Sequence, residues 1–514
     1  MTTTEGPIRG RRWWVLFLLL SVFAGAWSLA SPPQSGHDEH SHATRAAGAA
    51  RGHLLGPEAI DPFPVMYTQM IEVPVPEAYN VPTDCFRGRP EVLPSCAAPF
   101  EGSERVVPGY TYQFRSPPWY YVPVGLPTLL DAGLVGYYAM RLLGVVICMA
   151  LLTSAIGSAA TMARPRLGVA AVLVATTPEV VYLIAHVNTN GIEIVAAVCL
   201  WATSVALIKS PSAAPARLVT RAGVATAVLV GSRGLSIGFA VGILGATVLF
   251  GGVGAARTLA RRRDVRAWAA VAAVVAAASL VYIEHVRRWL PVEREGQGVG
   301  YALGRLPWYL EQAVGVFGSN EIALPLVVHV AWAAALVGLL VLAVVAGSAR
   351  AAALSFAVLL VGLAIQVTAE GLALPPIGFF WQGRYALPIL VGVPILAVAS
   401  LERPPPRPTE GGSRDERRLP TPDLGVLLMA LVVGGWMVAF LTAVRRYSVG
   451  TAGPSAPWRF VLDPGWTPPT GPVALHLACA LAAAITSVVL LTRWTTLEPQ
   501  TTGLAQPSST SVTS

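Results

Sequence analysis

Charge is what this chain has least of. Only 12% of its 514 residues are Asp, Glu, Lys or Arg, against 54% that are hydrophobic. That is too little polar surface to cover a soluble globule of this size, so the medium is lipid. A Walker loop and a dinucleotide fingerprint are both missing, which removes a soluble nucleotide cofactor. No solenoid-type repeat is present. Cysteine is sparse: Cys148, Cys199 and Cys479 lie in apolar runs, and only Cys85 and Cys96 lie outside them. The formal net charge of +8 comes from short basic clusters between apolar segments. That is a pattern of membrane topology, and no nucleic-acid partner is expected.

What is abundant is apolar sequence in runs of spanning length, roughly 17–25 residues. The runs are 13–30, 133–156, 167–186, 191–208, 267–285, 323–346, 351–369, 385–401, 424–444 and 472–492. A further run, 222–252, is too long for one helix and too short for two full ones at about 1.5 Å per residue. It is expected to form two short helices meeting at Gly231, Ser232, Arg233 and Gly234. Counted so, the chain makes about twelve passes with both termini on one side.

Arginine clusters identify the side. Arg9, Arg11 and Arg12, then Arg164 and Arg166, then Lys209, Arg217 and Arg221, then Arg257 to Arg266, then Arg350, then Arg403 to Arg418 fall in every second loop. By the positive-inside tendency those loops are cytoplasmic. The expected layout is a cytoplasmic 1–12, a transmembrane domain over 13–494, a flexible linker at 402–423 and a disordered cytoplasmic tail at 495–514. RGRR, an apolar run and Ser28-Leu29-Ala30 also resemble a signal peptide, but the run exceeds a usual h-region, which favours an uncleaved anchor.

The outer loops are then 31–132, 187–190, 286–322, 370–384 and 445–471. The first is long enough to carry structure of its own. Cys85 and Cys96 lie within it on the oxidising side, and a disulfide between them is favoured over two free thiols.

Ionisable groups are costly in lipid, so their positions are informative. Arg141 and Glu179 lie at similar depth below the outer face, which suggests a pair, either a structural lock or a functional one. Beyond them HVNTNGIE places Asn188, Asn190 and Glu193 at a turn, with Asn190 able to cap the next helix. IGFFWQGRYALP places Gln382, Arg384 and Tyr385 at a re-entry point, where the bland alternative is an aromatic belt with a snorkelling arginine. Together with Asp38, Glu39, His42, Arg45, Arg233, Glu284 and Glu370 these groups lie within a few turns of the outer face, while the cytoplasmic halves of the helices hardly carry any. A polar basin open to the outside satisfies that distribution. A carboxylate there can take a proton from a hydroxyl, and arginines beside it can hold a phosphate through paired charge-assisted hydrogen bonds. The implied donor is a sugar on a polyprenyl phosphate.

The order P-P, D-E-x-x-H-x-x-R (Pro32, Pro33, Asp38, Glu39, His42, Arg45), N-x-N-G-x-E (Asn188, Asn190, Gly191, Glu193) and Q-G-R-Y (Gln382, Gly383, Arg384, Tyr385) resembles a bacterial family of polytopic membrane proteins grouped by fold with the GT-C glycosyltransferases. Thr189 and Ile192 stand where that family has proline and leucine. The resemblance implies an all-α, GT-C-like polytopic protein of the bacterial plasma (inner) membrane, with an outward-facing site. It implies Asp38 as general base, Glu39 and His42 beside it, and Arg384 with Arg233 on the phosphate of a polyprenyl-linked sugar. The acceptor would be an envelope glycan, lipid or protein.

Histidines and carboxylates in HDEHSH also suit zinc or manganese, but His37, His40 and His42 have no fixed tetrahedral spacing, so a divalent metal is the less favoured reading. The rival function is a transporter or flippase for a lipid-linked sugar or envelope precursor, for which a broken hairpin at Arg233 would serve. A third possibility, a non-catalytic scaffold for envelope assembly, would need none of the outer carboxylates.

Overall fold

A computed structural model describes residues 7–59, 70–80, 85–287, 298–373, 381–401 and 421–496. The expected linker at 402–423, up to residue 420, and the tail from residue 497 lie outside the described residues. The chain is predominantly helical, as its apolar runs require of backbone that must satisfy its own hydrogen bonds in lipid.

Among the described residues, eight helices are long and apolar enough to cross a membrane, or up to ten if each of two bent pairs counts as one span. The expectation of about twelve is not reached because two stretches fall short. Ala216–Ser232 has 17 residues, about 25 Å of rise. The apolar stretch Gly383–Ala399 is divided into turns and short helices, with Pro388 and Pro394 inside it. The 222–252 stretch does break where expected, after Ser232, but its first helix starts six residues earlier than the run itself.

The third expected span is also broken. Pro165–Ala175 and Pro178–Ile184 meet at a bend of 68°. Pro178 has no N–H to give and disfavours helical geometry at Thr177, so the ladder stops there. The freed carbonyls are not left bare in lipid: Trp332 Nε1 donates to Val174 O at 3.0 Å and Trp436 Nε1 to Thr176 O at 2.8 Å. Thr177 Oγ1 in turn donates to Ala313 O at 2.8 Å.

Thr189–Lys209 is the axis of the bundle. It is buried over 94% of its apolar window, whereas Arg263–Arg287 is buried over only 17% and turns its valines and leucines outward. Asn188 starts the axial helix, its Oδ1 accepting from Asn190 N at 2.8 Å. The cap is therefore Asn188, not Asn190 as expected, which leaves the Asn190 side chain available elsewhere.

The long loop after the first helix folds as a small layer over the bundle end. A helix, Glu39–Ala50, packs under an antiparallel sheet of order β1 (Glu58–Ala59), β2 (Met70–Pro76) and β3 (Val106–Thr111). Ile71, Val73 and Val75 alternate inward along β2, the period-two pattern of a half-buried strand. Thr111, at the end of β3, ties the sheet to the helix through Ser41, with Oγ1 to Ser41 O at 2.8 Å. Cys85 and Cys96 form a disulfide with Cα atoms 6.2 Å apart. Arg446, almost wholly buried, donates to the carbonyls of Phe86, Arg89 and Val92 and so seats the disulfide loop on the Thr421–Val449 helix.

Candidate functional site

Ser31 to Asp38 is the short connection between the first span and the Glu39–Ala50 helix, and one arginine shapes it. Arg141 Nε and Nη2 donate to the two Glu39 carboxylate oxygens at 2.7 Å each, while Nη1 and Nη2 reach the carbonyls of Ser28, Ser31 and Pro32. Both side chains are fully buried. Every N–H of the guanidinium is spent, on a carboxylate and on carbonyls at and just beyond the end of the first helix. Glu39 also accepts from the backbone N–H groups of Gly36 and Val187. Burial alone would push the Glu39 carboxyl up, but Arg141 brings it down to about 2. The expected Arg141–Glu179 pair is thus corrected: Arg141 pairs with Glu39, and Glu179 Oε1 instead lies 3.0 Å from His37 Nε2, close enough for an ion pair though off the hydrogen-bond direction. Glu39 and Arg141 are a clasp without spare hydrogen-bonding capacity toward a ligand. Gly36 is pressed against the next turn so closely that a Cβ there would lie 2.7 Å from His186 Cβ.

The clasp leaves Asp38 in a left-handed backbone conformation, φ 54° and ψ 14°. A non-glycine residue so placed stores strain that the surroundings must hold. Its side chain faces three parts of the fold. Oδ1 accepts from Tyr112 Oη at 2.8 Å, Tyr112 being the residue that follows β3. Oδ2 accepts from Arg384 Nη2 at 3.3 Å. Arg384 is 2% exposed and Asp38 25%, so the pair has a buried half and an open half. Burial would raise the Asp38 carboxyl, but the Arg384 guanidinium and the Tyr112 hydroxyl hold it well below the usual carboxylate range. Burial and the Asp38 charge push the Tyr112 phenol well up, so it stays a hydrogen-bond donor.

Arg384 is no snorkelling side chain. Its Nη1 donates to Gln382 Oε1, its guanidinium lies 5.1 Å from the Tyr385 ring centre, and its Nε meets no acceptor among the described residues. Arg233 lies 4.7 Å from the same ring centre. Tyr385 therefore sits within cation–π distance of two guanidinium groups. Arg233 is in turn anchored to the axial helix, donating to Asn190 Oδ1 and lying 3.6 Å from Glu193 Oε2. Ser236 Oγ donates to Glu193 Oε1 at 2.5 Å. Asp38, Asn190, Glu193, Arg233, Gln382, Arg384 and Tyr385 form one connected group at one end of the bundle.

Other candidates point elsewhere. Arg45 donates to Tyr282 Oη at 2.7 Å and lies over Tyr121, about two helical turns past Asp38. Asn188 Nδ2 donates to His37 O at 2.8 Å, tying the connection before Glu39 to the start of the axial helix. Glu284 is exposed and pairs with Arg287, outside the group, and Glu370 caps Trp381 N at 3.0 Å. The histidines diverge too: His37 faces Glu179, His40 Nδ1 meets Arg87 Nη1 at 2.8 Å, and His42 Nδ1 meets Tyr121 Oη at 2.8 Å. Among the described residues no three His, Cys, Asp or Glu side chains gather as metal ligands. Burial holds both His40 and His42 neutral, pulled down to about 3.

Sequence inspection passed over Tyr112, Tyr121, Arg87 and Ser236. Tyr112 and Arg87 lie in the long loop after the first helix, where only the strand alternation before Tyr112 offered a signal. Ser236 carried none, being one small residue among many.

A family profile described as Predicted membrane protein (DUF2142) matches residues 19–393. No curated protein matches the chain. Among solved structures, ArnT from Cupriavidus metallidurans in the apo state is similar over 95% of this chain and 78% of that one, at 15% identity and a TM-score of 0.46. The same protein bound to undecaprenyl phosphate is similar over 94% and 77%, at 16% identity and a TM-score of 0.44. Both likenesses concern fold alone.

Proposed function

The chain belongs to the DUF2142 family of predicted membrane proteins, and on that footing we propose that it transfers a sugar from a polyprenyl-phosphate carrier to an acceptor hydroxyl at the extracytoplasmic face of a bacterial inner membrane. One observation carries the reading: an ionised, quarter-exposed carboxylate, Asp38, is held on a strained backbone against Arg384, which shares Tyr385 with Arg233.

In the step proposed, the acceptor oxygen bonds to the anomeric carbon, its proton passes to an Asp38 oxygen, and the bond from the anomeric carbon to the carrier phosphate breaks. The electron pair goes to the departing phosphate. Arg384 and Arg233 stabilise that charge, and Tyr385 keeps the two guanidinium groups within reach of a single anion. Asp38 is a weak base while Arg384 holds it. A phosphate that draws Arg384 away frees Asp38, so the base strengthens when the sugar donor is in place.

The transporter alternative predicts a different outcome in one assay. Membranes carrying Asp38→Asn, supplied with labelled polyprenyl-phosphate sugar, are expected to make no glycosyl product at normal protein abundance. Undiminished transfer in that variant removes Asp38 from the chemistry. Flipping of the labelled lipid that persists with no product, in wild type as well, replaces the transferase with a carrier.

A further inference from the structure

We propose that Arg87 and Arg115 form a second anion site beside Asp38, which binds a phosphomonoester on the acceptor. The inference rests on the preceding reading, in which Arg384 and Arg233 take the carrier phosphate; a second anion at the site then belongs to the molecule that supplies the attacking hydroxyl.

The two arginines reach the site from different elements. Arg87 lies in the loop closed by Cys85 and Cys96, and Arg115 in the turn that follows Tyr112. Both lie within electrostatic reach of Tyr112, whose hydroxyl donates to Asp38. Neither guanidinium is satisfied. Arg87 gives Nη1 to His40, yet its Nε is buried without an acceptor among the described residues. Arg115 has both Nε and Nη2 buried in the same state, with the Phe114 ring 6.0 Å from its Cζ.

Burying guanidinium N–H groups without acceptors is unfavourable, and an oxyanion is the partner that reverses it. A loop built only for stability gains nothing from that arrangement. Yet this loop is fixed by a disulfide, and Arg446 donates to three of its carbonyls on either side of Arg87, which holds the Arg87 backbone in place. Two guanidinium groups from separate elements suit a tetrahedral anion with three terminal oxygens better than a planar carboxylate, which takes its donors in one plane.

The test uses the full chain in nanodiscs of zwitterionic lipid, titrated with inorganic phosphate and, separately, with short-chain phosphatidic acid, each with and without saturating polyprenyl phosphate. Binding of at least one probe is expected to persist when polyprenyl phosphate is saturating. Arg115→Gln, which removes no hydrogen bond within the described protein, is expected to weaken that binding about tenfold or more and leave polyprenyl-phosphate binding unchanged. Arg87→Gln is expected to do the same. Binding of phosphatidic acid alone assigns the anion to a lipid; binding of both probes assigns it to the phosphate as such. One-for-one competition with polyprenyl phosphate, wild-type affinity in Arg115→Gln, or no binding of either probe overturns the second site. Failure of polyprenyl phosphate to bind while Arg115-dependent phosphate binding remains overturns the proposed carrier and leaves this site standing.

Discussion

Asp38 and Arg384 stand 346 residues apart in the chain and 3.3 Å apart in the fold. Nothing local to either residue creates that contact; it exists because the loop after the first helix and the stretch before Leu387 meet at one end of the bundle. Asp38→Asn keeps the volume, and asparagine tolerates the left-handed backbone that Asp38 occupies. The variant is therefore expected to fold and to lose roughly 10²–10⁴-fold in transfer rate, the usual worth of a positioned general base. Membrane abundance and turnover with a labelled donor, measured together, check both halves.

Arg384→Gln is expected to shift the pH dependence as well as the affinity for the carrier. Asp38 must be ionised to accept a proton, and Arg384 is what holds its carboxyl low. Without that charge the carboxyl titrates at higher pH, so the acid limb of kcat/KM moves upward. Arg384→Lys keeps the charge and is expected to keep the limb low while losing affinity, because an ammonium cannot offer two parallel N–H groups. Profiles of the three proteins at saturating acceptor distinguish these outcomes.

The Glu39–Arg141 clasp makes a stability prediction. Glu39→Gln leaves a fully buried guanidinium without its counter-charge, a change expected to cost about 3–5 kcal/mol. Little folded protein is expected in membranes. Glu39→Gln combined with Arg141→Met removes the stranded charge and is expected to recover part of the loss, although the carbonyls of Ser28, Ser31 and Pro32 then lack their partner. Thermal unfolding of the single and double variants in detergent measures the difference.

The buried histidines set a lower pH bound for the layer that Glu39–Ala50 and the sheet form. Burial pulls His40 and His42 down to about 3 in the folded protein, against about 6.5 when unfolded. Below the unfolded value the unfolded chain takes up protons that the fold refuses, so stability is complete above it and declines as pH falls toward 4. At pH 5 each such histidine costs roughly 2 kcal/mol. Glu39 does not add to this window, since its depressed carboxyl loses stability only below the ordinary carboxylate range. Unfolding temperatures between pH 4 and 8 are expected to fall on the acid side, with the slope reduced in His42→Gln.

The breaks in the fold have local causes, although linear reading placed only the one after Ser232. Pro178 stops a helix because of its own covalent structure, and Ser232 ends another next to a glycine-bearing turn; both features are local. The Trp332 and Trp436 indoles that cover the carbonyls freed near Pro178 come from 158 and 260 residues away, and no local pattern marks them. The same division runs through the site. Asp38, Arg233, Arg384, Asn190 and Glu193 were all identifiable as costly polar groups near one membrane face. Their pairing was not: equal depth suggested Arg141 with Glu179, yet Arg141 closes on Glu39 and Glu179 faces His37.

The amino-acid sequence by itself determined that the chain belongs in a membrane, which stretches are apolar enough to be candidate spans and at which end its ionisable groups gather. Transfer free energies are additive along a segment, so they can be summed without knowing its neighbours. Which carboxylate stays free, which arginine is spent on carbonyls and which tyrosine is shared by two guanidinium groups were decided only when distant segments met. A charge–charge or hydrogen-bond energy is a function of distance in space, and the chain assigns that distance only after it folds.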